Sequence, residues 1–109
     1  MDKTIIDKIA QISLLANEIR FKIVLALFNS DIIKKLGKHS CSFDELKNIV
    51  DTKSPDLSYH LELLMKGDLI EKVEDVRGYY HISDDGKSIL EMFDVTPELV
   101  KKLGKEIIK

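Results

Sequence analysis

The chain has 109 residues, of which 44% are hydrophobic and 33% charged, with only 5 glycines and 2 prolines. This suits one globular domain with helical arms and excludes two full-sized domains, a disordered segment or a fibrous repeat. The single cysteine, Cys41, excludes an intrachain disulfide framework and points to a reducing, cytoplasmic compartment. The formal net charge of −2 is unevenly spread: residues 1–40 carry 7 basic and 4 acidic side chains, residues 41–86 carry 5 and 11, and residues 87–109 carry 5 and 4. An acidic middle argues against indiscriminate nucleic-acid binding, which needs a basic field.

The first residues interrupt their apolar positions with charge, and no stretch approaches about 18 uncharged apolar residues, so neither a signal peptide nor a membrane span is expected. Over residues 4–15, Ile5, Ile6, Ile9, Ile12 and Leu15 fall at spacings of three and four, one stripe of a helix. Asn17 can cap a second helix, with Ile19, Ile23, Val24, Leu27 and Phe28 as its stripe, before Asn29-Ser30-Asp31 breaks the pattern. Ser30 can cap one further turn over residues 31–36 that stops at Gly37.

Ser42-Phe43-Asp44-Glu45 has the form of a capping box, in which the serine oxygen accepts from the Glu45 amide and the Glu45 carboxylate accepts from the Ser42 amide. A helix is expected from Phe43 to about Val50. After polar Asp51-Thr52-Lys53, Ser54-Pro55 supplies an N-cap with proline at the first helical position, and Leu57, Leu61 and Leu64 form the buried stripe of the helix that follows. Two short helices joined by a tight turn make a helix-turn-helix unit.

Residues 71–75 and 79–83 read as strands around Val76-Arg77-Gly78, where Gly78 can take the positive φ of a tight hairpin. Asp84-Asp85-Gly86 is expected to turn the chain into a helix bearing Ile89, Leu90 and Phe93. Thr96-Pro97 caps a last helix with a stripe of Leu99, Val100, Leu103 and Ile107. The expected fold is mainly α with a small β-hairpin (α+β) in one domain over residues 1–109. Its helix-turn-helix and wing span residues 42–86, and terminal helices span residues 1–16 and 96–109.

This order of elements looks like a winged helix-turn-helix domain, and particular residues sharpen the likeness. Ser54-Pro55-Asp56-Leu57-Ser58-Tyr59-His60-Leu61-Glu62-Leu63-Leu64, followed by Leu69-Ile70-Glu71-Lys72, resembles the recognition helix and first wing strand of ArsR-type regulators. The segment from Arg77-Gly78-Tyr79-Tyr80 to Gly86-Lys87 resembles that family's wing. Leu15-Ala16-Asn17-Glu18-Ile19-Arg20 is similar to the opening of its second helix. The resemblance covers about residues 15–93 and implies a dimeric, sequence-specific regulator that binds double-stranded DNA. The Pro55 helix would then enter the major groove, and the hairpin would lie along the backbone or a minor groove.

On that reading Asp56, Tyr59, Glu62 and Lys66 face the bases, with Pro55 and Ser58 at the margins and Ser54 at the helix start. Lys53, Lys66 and Arg77 are the phosphate partners, and Tyr79 adds a tyrosine on the wing. Two departures matter. The family's metal-sensing members carry a Cys-x-Cys-type pair on the helix before the turn, whereas residues 43–50 hold neither cysteine nor histidine; Glu62 stands where basic residues are common.

Other features have plainer readings. Cys41, His39 and His81 do not make up a metal site, and Cys41 fits a small buried residue in a short strand pairing with the wing better than a redox switch. His60 is expected to pack beside the Leu61 stripe, and Lys34, Lys35 and Lys38 form a basic cluster that is usually solvated surface but whose place close to the helix-turn-helix also suits a DNA-backbone contact. No phosphate-binding glycine loop or nucleophile elbow is present, so no enzyme, cofactor or metal is expected. Ile5, Ile9 and Ile12 with Leu99, Leu103 and Ile107 make ridges that a small core cannot cover, so a homodimer is expected. The rival expectation is a winged helix used as a protein adaptor, its acidic middle facing a basic partner.

Overall fold

A computed structural model describes residues 3–28, 40–74 and 76–92. Helix α1 (Lys3–Leu14) holds the first apolar stripe, but only part of it is used by the core. Ile12 and Leu14 pack inward, whereas Ile5, Ile6 and Ile9 remain half exposed. Asn17 Oδ1 accepts from the Arg20 amide at 3.1 Å and so caps α2 (Glu18–Phe28). Every residue of α2 from Ile23 to Phe28 is buried, including Leu25 and Ala26, which the expected one-sided stripe left out. A helix buried all round is a central helix, and α2 packs against α3, α4 and the sheet.

Strand β1 (Ser40–Ser42) leads directly into α3 (Phe43–Val50). The expected capping box is formed: Glu45 N donates to Ser42 Oγ at 3.1 Å and Ser42 N to Glu45 Oε1 at 3.3 Å. Asp51 ends α3 in the left-handed region at φ 50°, its amide donating to the Lys47 carbonyl. Helix α4 (Ser54–Lys66) starts one residue earlier than expected. Its first i to i−4 bond runs from the Leu57 amide to the Lys53 carbonyl at 2.9 Å, so Lys53 occupies the cap position without a side-chain bond and Ser54 is already helical. Pro55 sits in the first turn, where its missing N–H has no partner to lose.

The hairpin strands are β2 (Ile70–Lys72) and β3 (Tyr79–Ile82), and β1 adds to them to give a three-stranded antiparallel sheet in the order β1-β3-β2. Cys41 pairs with Tyr80 and Ser42 with Tyr79 on one side of β3; Glu71 pairs with His81 and Lys72 with Tyr80 on the other. Gly78 takes φ +83° at the hairpin turn, a conformation that favours glycine.

Helix α5 (Asp84–Met92) corrects one expectation. Asp84, Asp85 and Gly86 are its first turn rather than a connecting turn, because Ser83 is the cap: its Oγ accepts from Gly86 N at 2.9 Å and donates to the Asp68 carbonyl at 2.6 Å. The core is built from α2 together with Leu46, Val50, Leu57, Leu61, Leu64, Leu69, Ile70, Ile82, Ile89 and Leu90. The architecture is thus mainly helical with a small antiparallel sheet, α+β, and compatible with a winged-helix-like fold. No helix of the described residues is long and apolar enough to cross a membrane. The expected turn over residues 31–36, the basic cluster Lys34, Lys35 and Lys38, His39, and the last helix with Leu99, Leu103 and Ile107 lie outside the described residues.

Candidate functional site

The geometry of α4 follows from its apolar period. Leu57, Leu61 and Leu64 are 0%, 1% and 0% exposed, which fixes the rotation of the helix and turns the opposite side to solvent. On that side lie Pro55, Asp56, Ser58, Tyr59, Glu62 and Lys66, all exposed, while Ser54 is half-buried at the start of the helix. Lys53 precedes them, exposed, at the end of the turn from α3.

Glu62 Oε1 and Lys66 Nζ form an ion pair at 3.4 Å across one turn of this face. Tyr59 stands out at 58% exposure, and its ring meets that of His60 edge-on with centroids 5.4 Å apart. At the hairpin, Arg77 is exposed, and Tyr79 is half-buried in the strand that pairs with β1. Of the residues expected to form a site, the structure therefore groups those of α4 on one continuous helix face and sets Arg77 in the connection between β2 and β3.

His60 is buried, as expected, but it does more than pack. Arg20 Nη1 donates to His60 Nδ1 at 3.1 Å, and Arg20 Nε donates to the Leu14 carbonyl at 2.7 Å. Burial, then the Arg20 charge, hold the His60 pKa below the ordinary 6.5, with Asp56 acting the other way. The sequence placed Arg20 beside Asn17 but gave no sign of a partner 40 positions away.

Cys41 is fully buried in β1, its Sγ set 3.9 Å from the Ala26 carbonyl oxygen. Burial and the neighbouring Glu45 push the thiol up to about 12, so at neutral pH it is neither a nucleophile nor a ready target for oxidation. Tyr80 is likewise pushed above its ordinary value by burial. His81 Nε2 lies 3.9 Å from Glu71 Oε1 across the β2–β3 pair. Among the described residues no group of three or more His, Cys, Asp or Glu side chains is arranged to hold a metal ion.

A cleft of about 480 Å³ lies between α1, the α4–β2 turn and the start of α5, lined among others by Asp7, Lys8, Gln11, Lys66, Asp68 and Asp85. Gln11 lines it, its Nε2 donating to the Gly67 carbonyl at 3.0 Å and to Asp85 Oδ2 at 3.3 Å. This amide fastens α1 to the end of α4 and to α5.

The sequence profile of a domain of unknown function, DUF7347, matches residues 10–93, and the chain belongs to that family. The match runs from within α1 to the residue after α5, spanning the α4 face and the hairpin. No curated protein and no solved structure matches the chain.

Proposed function

We propose that the protein is a dimeric, sequence-specific binder of double-stranded DNA that regulates transcription in the cytoplasm, built as a winged helix-turn-helix of the ArsR type. In this reading α4 enters the major groove, and the β2–β3 hairpin follows the backbone or the adjacent minor groove. The observation that carries it is the division of α4. Three leucines lock one side in the core, and six polar, aromatic or proline side chains stand exposed on the other, one short turn after a capped helix. A helix held by its apolar stripe and presenting Asp56, Tyr59, Glu62 and Lys66 is suited to reading base edges, with Lys53 and Arg77 as phosphate partners.

Dimerisation uses the ridge of Ile5 and Ile9 on α1, whose half-exposed isoleucines have no cover within the described residues; Ile12, expected in the same ridge, is partly buried against the core instead. Leu99, Leu103 and Ile107 supply the second ridge. Binding-site selection from random duplexes tests the proposal: enrichment of a two-fold symmetric motif with half-sites about 10 base pairs apart, or a multiple of that, supports it.

One observation favours a second reading. Residues 41–86 carry 11 acidic and 5 basic side chains, a balance that suits a basic protein partner better than a phosphate backbone. Selection that enriches no motif, together with no duplex binding of the steeply salt-dependent kind that phosphate contacts give, would favour this adaptor role.

A further inference from the structure

Leu14, Arg20, His60 and Tyr59 form a connected path from the end of α1 to the exposed face of α4. Arg20 is anchored twice on the near side, by its amide to Asn17 Oδ1 at 3.1 Å and by its Nε to the Leu14 carbonyl at 2.7 Å. Its remaining arm reaches His60 Nδ1 at 3.1 Å. A guanidinium only donates, so Nδ1 must accept, and the proton of the neutral ring sits on Nε2. His60 is 8% exposed, whereas Tyr59, whose ring lies edge-on to it at 61°, is 58% exposed. The largest exposed side chain on α4 thus has its ring edge-on against a buried ring that Arg20 holds by a hydrogen bond.

We propose that Arg20 is a positioning residue for the α4 face, and that proton uptake by His60 releases this latch and reorients Tyr59. The proposal deepens the DNA-binding reading by naming a regulation of the same surface, and rests on that reading for its effect on DNA. A proton on Nδ1 removes the only acceptor that the guanidinium uses there and sets two cations against each other. The charged groups acting on the ring are Arg20 from α2, which opposes the proton, and Asp56 from α4, one turn before His60, which favours it. Leu57, Leu61 and Leu64 stay clamped in the core throughout, so the release turns side chains on a docked helix and does not unfold it.

The test is a titration of the full chain by NMR from about pH 8 to about pH 5, following the His60 and Tyr59 rings. The Tyr59 signals should move with the His60 midpoint, and that midpoint should lie below the ordinary 6.5. Arg20→Met should raise the midpoint. His60→Asn, which keeps an acceptor oxygen near the Nδ1 position but cannot titrate, should flatten the Tyr59 response. In parallel, affinity for a selected duplex should change between pH 7.5 and pH 5.5 by about threefold or more in the wild type relative to His60→Asn. Three results would overturn the latch: Tyr59 signals that stay flat through the His60 midpoint, an Arg20→Met midpoint equal to the wild type's, or the same pH response of duplex binding in wild type and His60→Asn. A coupled Tyr59–His60 titration in a protein that binds no duplex would support the latch and refute only the DNA reading.

Discussion

Glu62 and Lys66 neutralise each other at 3.4 Å on the exposed face of α4, so the cation best placed on that face is held by a carboxylate beside it. Both side chains are well exposed, and an exposed i,i+4 pair of this kind contributes little to stability. Its larger effect is on what the face presents to an anion. Glu62→Gln should leave the melting temperature nearly unchanged and free Lys66 for phosphate. Affinity should then rise on every duplex if Glu62 acts only by charge, and fall on duplexes with one particular cytosine if Glu62 accepts from its N4 amino group. Equilibrium binding to a panel of single-base variants of the selected site separates the two outcomes.

Ile9 is half exposed on α1, while Ile12, less than one turn further along, packs on the core. A charge at Ile9 therefore strikes the ridge and spares the fold. Ile9→Asp should give a folded monomer in sedimentation at tens of micromolar protein, where the wild type should sediment as a dimer, and should weaken duplex binding with it. A wild-type chain that sediments as a monomer under the same conditions would remove the dimer from the account.

Gly86 sits where α5 meets the end of the hairpin, and a Cβ placed there would overlap the Leu69 carbonyl oxygen and come within 2.7 Å of Ile82 Cγ1. The carbonyl belongs to the backbone that accepts from the Ser83 amide, so it has little room to move. Gly86→Ala would gain helix propensity, but the overlap should outweigh it and destabilise the fold by about 1–3 kcal/mol, read as a lowered melting temperature.

Acid should weaken the fold through His60. Its pKa in the folded chain lies below the ordinary 6.5, so as the pH falls through 6.5 the unfolded chain takes up a proton that the folded chain still refuses. Stability is therefore fully present above that value, declines below it, and levels off once the pH passes the folded-state pKa. Urea midpoints measured across this range should show the slope in the wild type and a shallower one in His60→Asn.

Local chemistry was legible in the sequence where it is contiguous. The Ser42–Glu45 capping box, the Asn17 cap, the Leu57, Leu61 and Leu64 stripe and the positive φ of Gly78 each depend on residues a few positions apart, and each is present as read. The cap of α5 was missed because Ser83 reads as the end of a strand, and its capping role becomes visible only with its second bond to the Asp68 carbonyl. The start of α4 slipped by one residue because Ser54-Pro55 has the form of a cap pair, while the chain places Lys53 at the cap. The complete burial of α2 depends on what surrounds it, and the Arg20–His60 bond joins residues 40 apart, so neither leaves a period or motif in the sequence. The α4 face was legible as a face, since helical geometry alone separates Asp56, Tyr59, Glu62 and Lys66 from the leucines.

The central claim is that this face and the hairpin bind DNA in a sequence-dependent way. It is tested most directly by competing the selected duplex against a scrambled one across a salt series, with the wild type and with the Lys53→Ala, Arg77→Ala double variant. The account predicts a preference of the wild type for the selected duplex. It also predicts that the double variant binds both duplexes more weakly and that the salt dependence flattens by about one unit for each phosphate-binding side chain removed. A wild type with no preference between the duplexes, and no weakening of binding in the double variant, would contradict it.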